Sequence, residues 1–118
     1  MKHHTHTCVA YIAARLITKK RSASIYDFSR GKYVNMDGAI ENGTVQIYDY
    51  NQKCYISGSY LGARCNLYHY GNSAHISLSI NQNQFTGYDY GSSQHFQGSV
   101  NGSSVVLYDC GQFFNFQI

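Results

Sequence analysis

Gln94-His95-Phe96-Gln97-Gly98-Ser99-Val100-Asn101-Gly102-Ser103-Ser104-Val105-Val106-Leu107-Tyr108-Asp109 is the stretch whose reading decides the fold. Phe96, Gly98 and Val100 fall on one side of its first half and His95, Gln97 and Ser99 on the other, the period of two that a half-buried strand requires. Asn101-Gly102 then supplies the pair that best tolerates the positive φ angles of a type I′ hairpin turn, and Ser104 to Asp109 is the return strand. With Asn101-Gly102 as a two-residue loop, Phe96 is expected opposite Leu107 and Gly98 opposite Val105. A one-residue slip would turn every core side chain to solvent.

The end of this hairpin, Leu107-Tyr108-Asp109-Cys110-Gly111, is one copy of a repeated motif. Upstream stand Tyr26-Asp27-Phe28, Tyr48-Asp49-Tyr50, Tyr68-His69-Tyr70 and Tyr88-Asp89-Tyr90, with the leading tyrosines 22, 20, 20 and 20 residues apart. Asn42-Gly43 repeats the hairpin arithmetic, placing Gly38 opposite Ile47 and Ile40 opposite Val45. Between units, Ser29-Arg30-Gly31, Asn51-Gln52-Lys53, Gly71-Asn72-Ser73 and Gly91-Ser92-Ser93 have turn compositions. The prediction is an all-β, antiparallel up-and-down meander of about 10–11 short strands, built from hairpin repeats of ~20 residues and ending in Phe113 to Ile118.

Aligning the repeats separates two faces. Met36, Ile56, Ile76, Phe96 and Phe116, with Ile25, Ile47, Leu67, Phe85, Val105 and Leu107, form the expected core. Asn35, Tyr55, His75, His95 and Asn115, then Ser57, Ser77, Gln97 and Gln117, form the polar face, together with the motif tyrosines. One apolar face on so long a sheet must be covered, and closure as a barrel covers it while removing both edges. A β-solenoid with 20-residue coils is the first alternative, but it would stack Asp27, Asp49, Asp89 and Asp109 into a like-charge ladder. A two-sheet sandwich is the second.

Residues 1–8 read as a flexible His-rich arm ahead of a single all-β domain, 9–118. Val9 to Thr18 contains the helix formers Ala10, Ala13, Ala14 and Leu16, yet its Val-Ala-Tyr-Ile start favours a strand. Arg15 interrupts the only apolar run near the start, so no signal peptide is expected, and no run reaches the ~20 apolar residues of a membrane-spanning helix. Cys8, Cys54, Cys65 and Cys110 lack metal-finger spacing and read as free thiols, compatible with a cytoplasmic setting.

Charged residues make up 13 % of the chain, about half the usual share, and aromatic side chains supply 12 Tyr and 6 Phe. All nine Lys and Arg lie between Lys2 and Arg64. Lys19, Lys20 and Arg21, with Arg30 and Lys32, read as a basic cluster, the first three being candidate anion contacts. The Tyr-Asp dipeptide at a 20-residue period is similar to the Tyr-Asp repeats of large secreted bacterial shell proteins, which also build hairpin ladders. Their following Gly-Arg step is missing here, and no residue role is carried over.

A motif aspartate ahead of a turn suits an acceptor of turn amides. No nucleophile elbow, phosphate loop or metal-binding helix motif is present, so the expectation is a non-enzyme without metal or cofactor. Tyr48, Tyr68, His75, Tyr88, His95 and Tyr108 are the candidate ligand-binding residues, since flat rings beside neutral donors suit a glycan or a protein surface. The expected role is therefore a recognition or assembly module, with self-association open. Two other readings are a barrel holding a small hydrophobic ligand in its interior and a salt-sensitive binder of single-stranded nucleic acid. For the first, Phe85, Phe96 and Phe116 would fill the lumen while Gly38, Gly58, Gly87 and Gly98 leave room. The second suffers because the basic residues and the Tyr-His face lie in different halves of the chain.

Overall fold

A computed structural model describes residues Met1–Ile118 as a helix wrapped by a closed barrel of ten antiparallel strands. The order is α1 (His3–Thr18), β1 (Ser24–Asp27), β2 (Lys32–Glu41), β3 (Thr44–Asp49), β4 (Cys54–Leu61), β5 (Arg64–His69), β6 (Ala74–Asn81), β7 (Gln84–Asp89), β8 (Gln94–Asn101), β9 (Ser104–Asp109) and β10 (Gln112–Gln117). Every strand pairs with the next, and β10 returns to β1. This is the expected meander, closed as a barrel, and neither the solenoid nor the sandwich. All eleven expected core residues are buried, from Ile25 to Phe116.

The N-terminal segment departs from the sequence reading. Residues 3–18 form one helix in place of a flexible arm followed by a strand, and every residue from Thr5 to Ala14 is buried. A helix buried on one side shows a 3.6-residue stripe, but one enclosed on all sides shows only a continuous run of small and apolar residues. That run is Cys8 to Ala14, and it mimics a strand. The helix is also what the barrel lacks. Eight strands leave a lumen that side chains alone can fill, whereas ten leave a wider one that suits a rod about 10–12 Å across. At 16 residues α1 is about 24 Å long, enough to run from one mouth to the other.

Registers test the hairpin arithmetic. The β2–β3 pairing is as expected, with Gly38 opposite Ile47 and Ile40 opposite Val45, and both Asn42 and Gly43 have positive φ. In the β8–β9 hairpin the loop is instead Gly102-Ser103: Asn101 pairs Ser104, Gly98 pairs Leu107, and Phe96 pairs Asp109. Gly102, at φ 60°, takes the first central position that a II′ turn reserves for glycine. The slip is two residues, which returns every side chain to its own face, so alternation could not exclude it. Across β7–β8, Phe85 faces Gly98 and Phe96 faces Gly87, and each ring covers the missing side chain opposite.

Closure is uneven. Most hairpins pair at six positions, but β1 meets β10 at only two, Tyr26 with Gln117 and Asp27 with Phe116. Because α1 crosses the barrel, Lys19 to Arg21 lie at the mouth opposite to the motif turns, where Arg30 and Lys32 sit. The basic cluster expected from sequence is therefore split between two ends. Arg30 is further tied to Asp27 Oδ2 at 2.6 Å and to Thr7 Oγ1 at 2.8 Å.

Candidate functional site

Strand alternation gives the repeated motif two opposite jobs. The leading tyrosine faces out and the next residue faces in, so Asp27, Asp49, His69, Asp89 and Asp109 form a buried ring around the start of α1. Four of the five use one atom for their own turn, while Asp109 Oδ1 is buried without a hydrogen-bond partner. Asp49 Oδ1 accepts the amides of Asn51 at 2.9 Å and Gln52 at 3.1 Å, Asp27 Oδ1 accepts those of Ser29 and Arg30, and Asp89 Oδ1 accepts that of Gly91. His69 does the same with Nδ1, accepting Asn72 N–H at 3.1 Å.

The other atom of most ring members reaches the helix. Asp109 Oδ2 accepts His6 Nε2–H at 2.7 Å and the Met1 α-ammonium at 2.9 Å, and Asp27 Oδ2 lies 3.2 Å from the Thr7 hydroxyl. The Cys8 thiol donates to Asp49 Oδ2 at 3.6 Å and sits 3.9 Å from His69 Nε2. Carboxylates here also oppose the positive end of the helix dipole, equivalent to about half a charge.

Protonation follows from this packing. Burial drives His6 below the ordinary histidine value and outweighs the pull of Asp109. His69 is lowered by burial first and then by His4, against Asp49. Burial, the largest influence on Asp109, pulls its carboxyl up, but the bonds from His6 and the α-ammonium hold it below the usual range. Burial and then Asp49 push the Cys8 thiol well above its normal value, so it is a neutral donor and not a nucleophile. With Nδ1 of His69 accepting an amide, its proton is on Nε2, which disfavours metal ligation through that nitrogen. No group of three His, Cys, Asp or Glu side chains is arranged to hold a metal ion.

The outward side of the motif is the candidate site. The leading tyrosines of the first four copies are each half-buried between two ring neighbours standing at steep angles to them. Tyr48 packs on Tyr50 at 4.9 Å and on Tyr55 at 4.8 Å, Tyr68 on Tyr70 at 4.9 Å and on His75 at 4.8 Å, Tyr88 on Tyr90 at 4.8 Å and on His95 at 4.7 Å. Such edge-to-face pairs contribute about 0.5–1.5 kcal/mol beyond burial and fix ring orientation. Main-chain bonds join one cluster to the next: Tyr70 N–H donates to Tyr55 O at 3.1 Å and Tyr90 N–H to His75 O at 3.0 Å. The result is an aromatic arc of three clusters across β3 to β8, joined through the main chain.

Five of the six expected ligand residues, Tyr48, Tyr68, His75, Tyr88 and His95, lie on this arc. Tyr108 stands outside it, packed on Phe113, because Cys110 occupies the place of the motif's second ring. Beside the exposed His75 and His95, the arc presents exposed tyrosines that the sequence reading did not single out as ligand contacts. Tyr50, Tyr70 and Tyr90 are 55 %, 58 % and 61 % exposed, while the leading tyrosines are half-buried. Alternation carried the signal, since a residue two beyond an outward tyrosine also faces out, and at a turn it is less covered. Neutral side chains flank the arc, with Ser57 opposite Tyr68 and Ser77 opposite Tyr88. Lys19, Lys20 and Arg21 are at the other mouth and do not join it. The chain matches no family model, no curated protein and no solved structure.

Proposed function

We propose that this protein is a non-enzymatic recognition or assembly module that binds a glycan or a protein surface through the aromatic arc of β3 to β8. The observation that carries the reading is the fixed orientation of the exposed rings: Tyr70 and Tyr90 are each held by a half-buried tyrosine and by a main-chain bond to the preceding repeat. Rings held before contact lose little freedom on binding, which is where rigid aromatic anchors gain affinity. Repeated weak sites along one arc add avidity. The serines opposite Tyr68 and Tyr88 supply neutral hydrogen-bonding groups suited to sugar hydroxyls.

Nothing comparable supports the other readings. The enclosed middle of the lumen, which the interior-ligand reading needs, is taken up by α1, whose residues Cys8 to Ala14 are fully buried, and only the mouth beside Leu16 stays open. Stacking of nucleobases on the arc would lack Lys19 to Arg21, which sit at the far mouth. The inward titratable groups are engaged with α1 and the turns, which favours a structural role for them over a catalytic one. No helix is long and apolar enough to cross a membrane. A glycan array run beside a cross-linking pull-down tests the proposal with wild type and a Tyr70→Ala/Tyr90→Ala variant. Binding that is lost in the variant supports it, and equal binding by both proteins sinks it.

A further inference from the structure

At the mouth away from the motif turns, the end of α1 does not fill the barrel. The inward residues Ile40, Tyr60 and Ile80 occupy equivalent places in successive repeats and are only partly buried. Leu16, Tyr60 and Ile80 line a pocket together with the inward Cys65, with Lys19 beside it at the helix end and Arg64 at its rim on the outward side of β5. A second depression shares Leu16, Lys19 and Tyr60 with it and adds Arg15, Lys20 and Arg21, so the two form one groove across the mouth. No acidic side chain lines either part.

The cations are not equally free. Arg15 donates to Gly38 O at 2.8 Å and Arg21 pairs with Asp37 at 2.9 Å. Lys19, Lys20 and Arg64 take part in no ion pair. The helix C-terminus contributes about half a negative charge, which three unpaired cations outweigh. Lys19 itself closes the helix in the left-handed conformation, with φ 61° and its N–H bonded to Arg15 O at 3.0 Å, and this fixes its backbone beside the groove. Burial keeps the Cys65 thiol neutral, its pKa pushed up to about 12, so the floor is apolar.

We propose that this groove binds the end of a single-chain amphiphile with a carboxylate head, the chemistry of a fatty acid. Its alkyl chain lies between Leu16, Tyr60 and Ile80, and its carboxylate meets the guanidinium fork of Arg64 and the Lys19 ammonium. Apolar walls with charge at one edge select for a molecule that has both parts, because a neutral chain leaves the cations without a partner and a bare anion leaves the walls wet. The site is independent of the aromatic arc, which lies at the other end of the strands.

The test titrates the full chain, below the micelle threshold, with decanoate, decanol and acetate, following backbone amide resonances. Decanoate alone is expected to shift Lys19, Gly62, Ala63 and Arg64. Its affinity should fall by at least about tenfold in Lys19→Glu/Arg64→Glu. Both replaced residues are exposed, and an unchanged far-ultraviolet spectrum checks the fold of the variant. Equal shifts with decanol or acetate, shifts confined to the aromatic arc, or an unchanged affinity in the double variant would each overturn the proposal.

Discussion

His69 Nδ1 accepts the backbone N–H of Asn72 at 3.1 Å, the same bond that Asp49 Oδ1 accepts from Gln52 in the preceding repeat. An imidazole thus does the turn-holding work of a carboxylate, and the motif position demands an inward acceptor rather than a charge. The difference lies in what acid does. A histidine with a lowered folded pKa gains its proton more readily in the unfolded chain, so its contribution is complete above about 6.5 and is lost as the pH falls below that value towards the folded pKa. Chemical denaturation of wild type between pH 8 and 5 should show this loss, at up to about 1.4 kcal/mol per pH unit for each of His6 and His69. His69→Asp should reduce the slope to that of His6 alone. An unaltered slope would contradict the assignment of His69 as buried and neutral.

Asp109 is the other sensitive member of the ring, since two donors depend on it. Asp109→Ala strands the buried His6 Nε2–H and the Met1 ammonium, and removing one partner of such a buried pair costs roughly 3–5 kcal/mol. Asp89, whose Oδ2 is bonded only to Ser92, should cost less on the same replacement. Thermal unfolding of the two variants side by side checks the order.

Gly98 has ordinary backbone angles but no room. A methyl there would stand 2.2 Å from Val106 O and 2.3 Å from Phe85 Cζ. Gly98→Ala should therefore destabilise by at least about 1–3 kcal/mol in urea titration, the range for an overpacked core. Gly62→Ala meets no atom within 4 Å, and its cost should come from the φ of 59° alone.

Tyr70→Ala and Tyr90→Ala remove rings that are more than half exposed, and their melting temperatures should stay close to wild type. Tyr68→Ala should lower stability measurably, because Tyr70 and His75 both rest on that ring. A Tyr70→Ala protein that unfolds with Tyr68→Ala would mean the exposed rings hold the barrel instead of serving a partner.

Deleting residues 1–18 removes the filling of the lumen. The remaining strands should fail to form a barrel with protected amides, and a synthetic peptide of residues 1–18 added to them should restore protection in hydrogen exchange. A truncated chain that folds unaided would show that the sheet closes without its helix.

Much of this was legible in the sequence for one reason: strand alternation leaves a mark at every second residue. Ile47 and Asp49 had to share a face once Tyr48 faced out, and the eleven core positions followed. Alternation is blind to shifts of two, hence the misplaced β8–β9 loop, where Gly102-Ser103 outcompeted Asn101-Gly102. It is also silent on what fills a closed sheet. Ala10, Ala13 and Ala14 carried helix propensity, but Tyr11 and Ile12 between them suited a strand equally, and only the barrel's width decides the matter. The aromatic arc was half visible, because alternation turns both rings of each motif outward but leaves no mark of which one the neighbouring strand covers.

The two-position seam between β1 and β10 implies an order of assembly. Tyr26 and Asp27 must wait for Gln117 and Phe116, partners made some ninety residues later, so no growing chain can complete the cylinder before its final strand leaves the ribosome. Nor does anything have to be threaded: the early helix can serve as a spindle on which successive hairpins are wound, with the last one latching the wrap shut. Such distant latching predicts slow folding, and a nascent chain whose free edges need shelter until the end.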